Sequence, residues 1–231
     1  MENKVKFKID NRECTAEAGM NLVEAAKENN VYIPALCHLE NADPAGSCRI
    51  CTVMINGKAA TACTIKVVEG MNVENNTPEI QELRKVIVEL LFAEGNHLCP
   101  SCEKSGSCDL QGLAYRYGMM VPRFPYEFPK REIDADNEKI LIDHNRCILC
   151  KRCVREIKNN KGKSVFAFFK RGHKVKINID EKSSKDIDDS LAKHAMEICP
   201  VGAIIKKGIG FTTPIGKRKY DNLPIGSDIE K

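Results

Sequence analysis

The chain has 231 residues, of which 42% are hydrophobic, and 36 Lys and Arg against 32 Asp and Glu give a formal net charge of +4. Because these charges are interspersed and no apolar run reaches the roughly 18 residues that a bilayer span needs, we expect neither a nucleic-acid partner nor a membrane. Twelve cysteines could suit a secreted disulfide framework, but the opening residues contain no apolar signal segment, so we expect a cytoplasmic protein.

Residues 1–76 predict a β-grasp module, which is a small sheet of two hairpins with a helix between them. Val5, Phe7 and Ile9 alternate with charged residues, as in a strand with one buried face. Asn21 is a typical N-cap for the short amphipathic pattern that follows it. The predicted elements are a hairpin over 5–16, a helix over 21–29, a second hairpin over 52–64 and sheet segments at 67–68 and 71–73.

Four cysteines in this module predict a [2Fe–2S] cluster. They are Cys37, Cys48, Cys51 and Cys63. The spacing differs from the plant-type Cys-x4-Cys-x2-Cys arrangement, but its long first loop suits a two-iron cluster at the edge of a sheet. Zinc is the alternative metal for such thiolate ligands. Cys14 belongs to no group, and its alternating strand context predicts a buried residue that acts as a small hydrophobe.

Residues 77–121 predict a small helical module. Thr77 followed by Pro78 begins a helix, and a helical stripe of Ile80, Leu83, Val86, Ile87, Leu90 and Leu91 continues to Gly95. A second helix is predicted over 109–117. Residues 122–138 predict a linker, because prolines at 122, 125 and 129 exclude a helix or a central strand there. We expect residues 122–129 to pack on the chain itself or on a partner.

The helical module contains three thiolates where a cubane cluster needs four protein ligands. The thiolates are Cys99, Cys102 and Cys108, and His97 is the obvious fourth ligand. A neutral imidazole in place of a thiolate removes one negative charge and raises the cluster potential, as in Rieske centres. A zinc site with three Cys and one His has the same composition, so the spacing leaves both possibilities open.

Residues 139–205 predict a ferredoxin-like module with a [4Fe–4S] cluster. Cys147, Cys150 and Cys153 follow one another at intervals of three, and Cys199 precedes a proline. Since the chain has one such triplet, Cys199 must complete the same site. We expect a short helix after Cys153, a buried strand at 165–169 whose aromatic residues lie in the core, an exposed acidic loop at 181–190 and a helix that ends at Cys199. Zinc is again the alternative.

The final segment, residues 206–231, has too few apolar residues to fold alone, so we expect it to fray or to dock on another subunit. His38 is expected near its cluster or at the surface, and His144, His173 and His194 are expected to be solvated. No phosphate-binding loop, activated nucleophile or carboxylate pair stands out. We therefore expect no active site within the chain itself.

Several long segments resemble a known family. They are residues 31–37 (VYIPALC), 92–106, 123–126 (RFPY), 147–153, 198–202 (ICPVG) and 214–220 (PIGKRKY). Together they resemble the N-terminal iron–sulfur region of the large cluster-bearing subunit of respiratory complex I, which many iron-only hydrogenases share. The likeness is closest to the diaphorase γ subunits (HoxU type) of soluble NAD-reducing [NiFe] hydrogenases. Complex I usually has His-x3-Cys where this chain has His97-x-Cys99, in agreement with the short form.

This resemblance strengthens His97 as a ligand and implies two partners, a flavin and NAD(H)-binding diaphorase subunit and a hydrogenase small subunit or equivalent catalytic module. It also implies an electron carrier that lacks the molybdopterin-type region of complex I and the catalytic domain of iron-only hydrogenases. The expected fold class is α+β, with an N-terminal β-grasp [2Fe–2S] module, a small helical His/Cys3 module and a C-terminal ferredoxin-like [4Fe–4S] module.

The expected function is an iron–sulfur electron relay of an NAD(H)-linked oxidoreductase, with one [2Fe–2S] and two [4Fe–4S] clusters. Two alternatives remain at this point. One is the equivalent subunit of an NAD-dependent formate dehydrogenase or an electron-bifurcating complex. The other is a zinc-stapled assembly module without a redox role, which metal analysis distinguishes from an iron–sulfur protein.

Overall fold

The computed structural model describes residues 4–40 and 42–230, and it is an α+β protein as expected. Its buried apolar residues form two clusters, one inside the N-terminal sheet module and one shared by the middle helices, the C-terminal module and the tail. None of the described helices is both long enough and apolar enough to cross a bilayer.

The N-terminal module is a five-stranded sheet with the strand order β2-β1-β5-β3-β4 and one helix packed against it. Its elements are β1 (Lys4–Ile9), β2 (Arg12–Glu17), α1 (Leu22–Glu28), β3 (Thr52–Ile55), β4 (Lys58–Thr61) and β5 (Asn72–Glu74). Strand β5 lies parallel to β1 and antiparallel to β3, and the hairpins are the two expected ones. The Asn21 side chain caps α1 by accepting the Val23 N–H at 2.9 Å.

Two details of this module differ from the expected strands. Strand β4 ends at Thr61, and a 3₁₀ turn over Ala62–Thr64 follows it and contains Cys63. Residues 67–68 form no strand, because the backbone of this segment bonds to the start of α1, where Val67 donates to the Met20 carbonyl at 2.9 Å. The turn directs the Cys63 thiol inward instead of continuing the sheet.

The long helix α2 (Pro78–Glu94) begins and ends where the sequence indicates, with Thr77 accepting the Ile80 N–H at 3.3 Å and Gly95 following its last residue. The expectation that this apolar stripe forms the buried face of the helix is partly wrong. Leu83 and Leu90 are 39% and 46% exposed, whereas Arg84 and Glu89 are buried. The buried Arg84 donates to backbone carbonyls of the sheet module, and Glu89 pairs with Arg123, so polar contacts replace part of the apolar face.

Helix α3 (Asp109–Arg116) completes the middle region, and residues 117–132 contain neither helix nor strand. The C-terminal module contains β6 (Ile133–Asp134), β7 (Ile140–Asp143), α4 (Arg152–Glu156), β8 (Phe166–Phe169), β9 (Lys176–Ile179), α5 (Asp189–Ile198) and β10 (Ile204–Lys206). The strands form a three-stranded sheet ordered β10-β7-β6 and a separate β8-β9 hairpin. Strand β6, within the expected linker, was not anticipated. The domain boundaries themselves stay a prediction.

Two expectations about burial in this module are wrong. Phe166 is buried, but Phe168 and Phe169 are 47% and 53% exposed, because the β8-β9 hairpin is a two-stranded ribbon with no third strand beside it. His144 is 3% exposed instead of solvated, since it follows β7 and its backbone N–H donates to the Glu132 carbonyl. His173 and His194 are exposed as expected.

The tail was expected to fray or to dock on another subunit, and the structure instead packs much of it against the same chain. Tyr220 donates its hydroxyl to Asp109 at 2.6 Å, and Arg116 at the end of α3 donates to the Ile225 carbonyl at 2.9 Å. Ile225 is buried, and Gly226 lies against the Tyr32 ring. The few apolar residues of the tail therefore find their contacts on α3 and on the N-terminal module.

Candidate metal centres

The four cysteines of the N-terminal module come together between the loop after α1 and the start of β3. Three of them are buried and Cys48 is half-buried. The thiol of Cys37 contacts those of Cys48 and Cys63, and Cys51 also contacts Cys63. Hydrogen bonds between these thiols lower the pKa of Cys37, which accepts them as a thiolate, and raise the pKa of Cys48 and Cys63, which donate them.

The loop that brings these thiols together has unusual backbone angles. Arg49, between Cys48 and Ile50, has a φ of 61°, and Gly46 has a φ of 58°. A side chain at Gly46 would also place its Cβ 3.1 Å from Thr64, beside Cys63. Glycine therefore fits this position both by conformation and by space. His38 lies beside the site, largely buried, with its Nε2 atom 3.3 Å from Glu24.

A second set of donors surrounds what we call the polar-walled cavity. It is lined by the four expected donors His97, Cys99, Cys102 and Cys108, by the polar side chains of Ser105, Gln111 and Arg146, and by Phe92, Leu98 and Gly202. Cys108 also caps α3, where its sulfur accepts the Gln111 N–H at 3.4 Å. The start of that helix thus fixes one donor.

His97 presents a free nitrogen to the polar-walled cavity. Its Nε2 atom is buried and has no hydrogen-bond partner among the described residues. Burial lowers the pKa of His97 to about 4, so the imidazole is neutral at physiological pH and has a lone pair to donate. An orphaned buried nitrogen beside three thiols fits a metal-cluster ligand, because an unsatisfied buried polar atom is otherwise costly.

Two residues of the C-terminal module, one near its start and one near its end, shape the same cavity. Arg146 donates to the Cys102 sulfur at 3.5 Å, and its Nε atom lies 3.0 Å from the Asp143 carboxylate. A Cβ atom at Gly202 would lie 2.3 Å from the Cys102 sulfur, so any larger residue would displace that sulfur. Neither residue was anticipated from the sequence, because both lie far along the chain from Cys102.

The third set of donors surrounds what we call the apolar-walled cavity. Its lining is Cys147, Cys150, Cys153 and Cys199 together with Ile142, Ile148, Phe166, Ile177, Val201, Ala203 and Ile204. Burial raises the pKa of Cys147 to about 11 and that of Cys150 to about 12. Thiols in such a setting lose their protons only when a cation compensates the thiolate charge, which a bound iron cluster does.

The short loop that supplies three of these thiols turns sharply. Leu149 and Lys151 have φ angles of 52° and 66°, which are left-handed values for side-chain-bearing residues. Such alternation lets a seven-residue loop direct Cys147, Cys150 and Cys153 to one side. The fourth thiol, Cys199, follows α5, whose first turn is capped by Asp188 accepting the Leu191 N–H at 2.7 Å.

Arg152 connects the surroundings of all three sites. It precedes Cys153, donates to the Ala35 carbonyl at 3.0 Å and contacts the Asp109 carboxylate at 3.3 Å. Ala35 lies two residues before Cys37, and Asp109 directly follows Cys108. The neighbouring Arg155 donates to the Cys37 carbonyl. Sequence reasoning did not identify these residues, since their partners lie more than 40 positions away.

In the part of the chain that the structure describes, no set of three or more His, Cys, Asp or Glu side chains is arranged to hold a single metal ion.

Three sequence families match the three regions that contain the donor sets. Residues 2–78 match a 2Fe-2S iron-sulfur cluster binding domain. Residues 84–123 match the NADH-ubiquinone oxidoreductase-G iron-sulfur binding region, and residues 137–205 match the ferredoxin-like domain of NADH-quinone oxidoreductase subunit 3.

A full-length relative decides the family. The chain is 48% identical over 218 residues to the NAD-reducing hydrogenase HoxS subunit gamma of Cupriavidus necator, covering 94% of this chain and 93% of the relative. This chain belongs to the family of NAD-reducing hydrogenase gamma subunits. A solved structure described as an NAD⁺-reducing [NiFe]-hydrogenase in the H2-reduced state contains a chain that is 39% identical, with a TM-score of 0.87 and coverage of 95% and 94%.

The gamma-subunit family is related to complex I. The 78 kDa subunit of mitochondrial NADH-ubiquinone oxidoreductase from Neurospora crassa is 34% identical over 227 residues, but this chain spans only 30% of that protein. The expected family, α+β fold class and presence of [2Fe–2S] and [4Fe–4S] binding domains are thereby confirmed. The chain is an iron–sulfur electron-transfer protein of this family, and the relatives favour neither the formate dehydrogenase nor the zinc alternative.

Proposed function

We propose that this chain relays electrons between a flavin subunit that handles NAD(H) and a [NiFe] hydrogenase module. In this proposal Cys37, Cys48, Cys51 and Cys63 hold one [2Fe–2S] cluster. A [4Fe–4S] cluster is held in the polar-walled cavity and another in the apolar-walled cavity. Iron–sulfur clusters accept and release single electrons, which is the chemistry that such a relay needs.

The observation that carries the proposal is the position of Arg152 between the three donor sets. The Arg152 guanidinium contacts the loop before Cys37 and the residue after Cys108. Arg152 itself directly precedes Cys153 in the sequence. The chain segments that carry the three donor sets are therefore joined through this one side chain, which supports short separations between the sets. Short separations between cofactors are what a relay requires, and the protein contributes by spacing, shielding and tuning them.

The cluster proposed for the polar-walled cavity draws support from the unpartnered buried nitrogen of His97. The cluster proposed for the apolar-walled cavity draws support from the nearly continuous apolar wall around its four thiols, which excludes water from the bound group.

We assign the protein to the cytoplasm, because cluster thiolates must stay reduced and unpaired before iron is inserted. Both partners are assigned through the names of the relatives.

The test is to measure hydrogen-dependent NAD⁺ reduction in the native complex with and without this chain. We expect the activity to disappear without the chain and to return when the cluster-loaded chain is added back. The flavin subunit and the hydrogenase module should each keep their reactions with artificial electron acceptors. Unchanged hydrogen-dependent NAD⁺ reduction in a complex that lacks the chain would overturn the proposal.

Two segments remain candidates for partner contact, residues 122–129 and the tail after residue 206. Phe124 and Leu90 line an open groove along α2. Within the tail, Phe211 and Ile215 are 66% and 84% exposed, although later tail residues pack on the chain itself. Limited proteolysis tests this part of the proposal, since loss of the tail should release a partner subunit.

A further inference from the structure

The positive charge of the chain is concentrated in one segment. Residues 157–179 contain seven of the 36 Lys and Arg and none of the 32 Asp and Glu, so the rest of the chain has 29 basic and 32 acidic residues. The formal net charge of +4 thus becomes −3 when this segment is set aside. The even mixture of charges expected from the whole chain does not apply here.

Most of these cations have no internal partner. Lys158, Lys161, Lys163, Lys170, Arg171 and Lys174 are exposed, and within residues 4–40 and 42–230 none of them forms an ion pair. The seventh, Lys176, is less exposed and pairs with Glu132. We call the six exposed cations, together with Phe168, the basic hairpin face.

Two exposed aromatic rings lie on this hairpin, on opposite sides of the two-stranded ribbon, because successive strand residues point to opposite faces. Phe168 and Phe169 are 47% and 53% exposed. The Lys151 ammonium lies 5.9 Å from the Phe168 ring centroid, and the Lys176 ammonium lies 5.6 Å from that of Phe169. Exposed aromatic rings with a polar rim are typical of protein–protein interfaces, where aromatic residues form the centre of the contact.

The basic hairpin face borders the apolar-walled cavity. In the β8-β9 hairpin Phe168 is paired with Ile177, and Phe166 is paired with Ile179. Phe166 and Ile177 line that cavity, and Lys151 lies between Cys150 and Cys153. Phe168 therefore lies on the same side of the ribbon as these cavity-lining residues, so a protein that contacts Phe168 and Lys151 would bind next to the proposed cluster.

We propose that the basic hairpin face is the docking surface for a redox protein or subunit that presents an acidic surface. Charge complementarity identifies the occupant, because six unpaired cations attract a partner rich in Asp and Glu and accelerate its encounter. The exposed ring of Phe168 favours a protein over a nucleic acid or a membrane, since it needs an apolar counterpart in the contact. The proposal rests on the proposed function in taking the partner to be a redox protein.

Zero-length carbodiimide cross-linking of the native complex tests the wild-type chain directly. This reagent joins an amine only to a carboxylate that already touches it. We expect Lys170, Lys174 and one or more of Lys158, Lys161 and Lys163 to be linked to Asp or Glu of another polypeptide. Links confined to this chain, or no links from these lysines, would overturn the proposal.

A charge-reversal variant supplies the second arm. The triple substitution Lys170→Glu, Arg171→Glu, Lys174→Glu is compared with Lys6→Glu, Lys58→Glu, Lys66→Glu, three exposed lysines of the N-terminal module. We expect the first variant to bind the separated partner subunits of the native complex about tenfold or more weakly at low salt, and the difference to shrink in about 1 M salt. Equal binding by both variants would overturn the proposal.

The two proposals fail in different ways. If the chain contains no iron, the proposed function fails regardless of the hairpin. If both variants keep the iron content and cluster spectra of the wild-type chain and bind partners equally, only the docking proposal fails. Binding of heparin but of no acidic subunit would also overturn it, because the occupant would then be a polyanion instead of a protein.

Discussion

The two proposed four-iron sites differ in what surrounds them. The apolar-walled cavity has four thiols and otherwise only aliphatic and aromatic side chains, whereas the polar-walled cavity has one imidazole, Ser105, Gln111 and the cation Arg146. A neutral ligand and a cationic donor both favour the reduced, more negative state of a cluster. We therefore expect the polar-walled site to have the higher potential, which means that one chain tunes two similar cofactors through their walls.

The largest expected effect is the loss of one cluster from the apolar-walled cavity. With one [2Fe–2S] and two [4Fe–4S] clusters the chain holds about ten irons, and Cys199→Ser should reduce this to about six. The matched control is Cys14→Ser, at a buried cysteine of β2 outside all donor sets. Iron and sulfide analysis should find full content in the control, and equal losses in both variants would contradict the assignment.

Gly202→Ala is expected to disturb the polar-walled cavity alone. Its Cβ atom would lie 2.3 Å from the Cys102 sulfur, so the sulfur or the backbone must move, at a cost of about 1–3 kcal/mol. The control Gly210→Ala places its Cβ 3.3 Å from the flexible end of Glu103. Electron paramagnetic resonance should show a weakened polar-walled signal only in Gly202→Ala. Unaltered spectra in that variant would show that the close contact is unimportant.

His97→Cys removes the main chemical difference between the two sites. A thiolate in place of a neutral imidazole adds one negative charge to the cluster environment, so the potential should fall, by on the order of 100 mV or more. The apolar-walled cluster serves as the internal reference in the same redox titration. A polar-walled cluster whose potential stays unchanged would mean that His97 is not its ligand.

Arg146→Gln should have the smallest effect. It removes the cation and the N–H donor that lies 3.5 Å from the Cys102 sulfur, which should lower the potential of the polar-walled cluster by on the order of 50 mV. Arg146→Lys keeps the charge and should shift the potential less. If both variants have the wild-type potential, the wall does not tune this site through Arg146.

Local sequence signals determined much of the fold correctly. The hairpin alternation at Val5 and Phe7, the Thr77 cap and the Gly95 end of α2 all lie where short-range patterns indicate. The cysteine spacing likewise separated the donors into the three sets that the structure brings together. Cluster-binding loops are short-range features, because a few residues must surround each cofactor.

Long-range contacts account for what the sequence did not reveal. Arg84 on α2 is 1% exposed because it satisfies the Thr52 and Asn75 carbonyls, although its spacing indicates a solvated residue. Tyr220 contacts Asp109 from 111 positions away, and this contact helps to hold the tail that composition alone suggested would fray. Arg146 and Gly202 reach Cys102 in the same manner. No local pattern records such partners.

The relay proposal is tested most directly by a reductive titration of the anaerobically purified chain, followed by electron paramagnetic resonance. We predict uptake of about three electrons per chain, one for each cluster, with a polar-walled [4Fe–4S] signal that develops at a higher potential than the apolar-walled one. A folded chain that takes up no electrons would contradict the relay. Two four-iron signals with the order of potentials reversed would contradict the role assigned to the cavity walls.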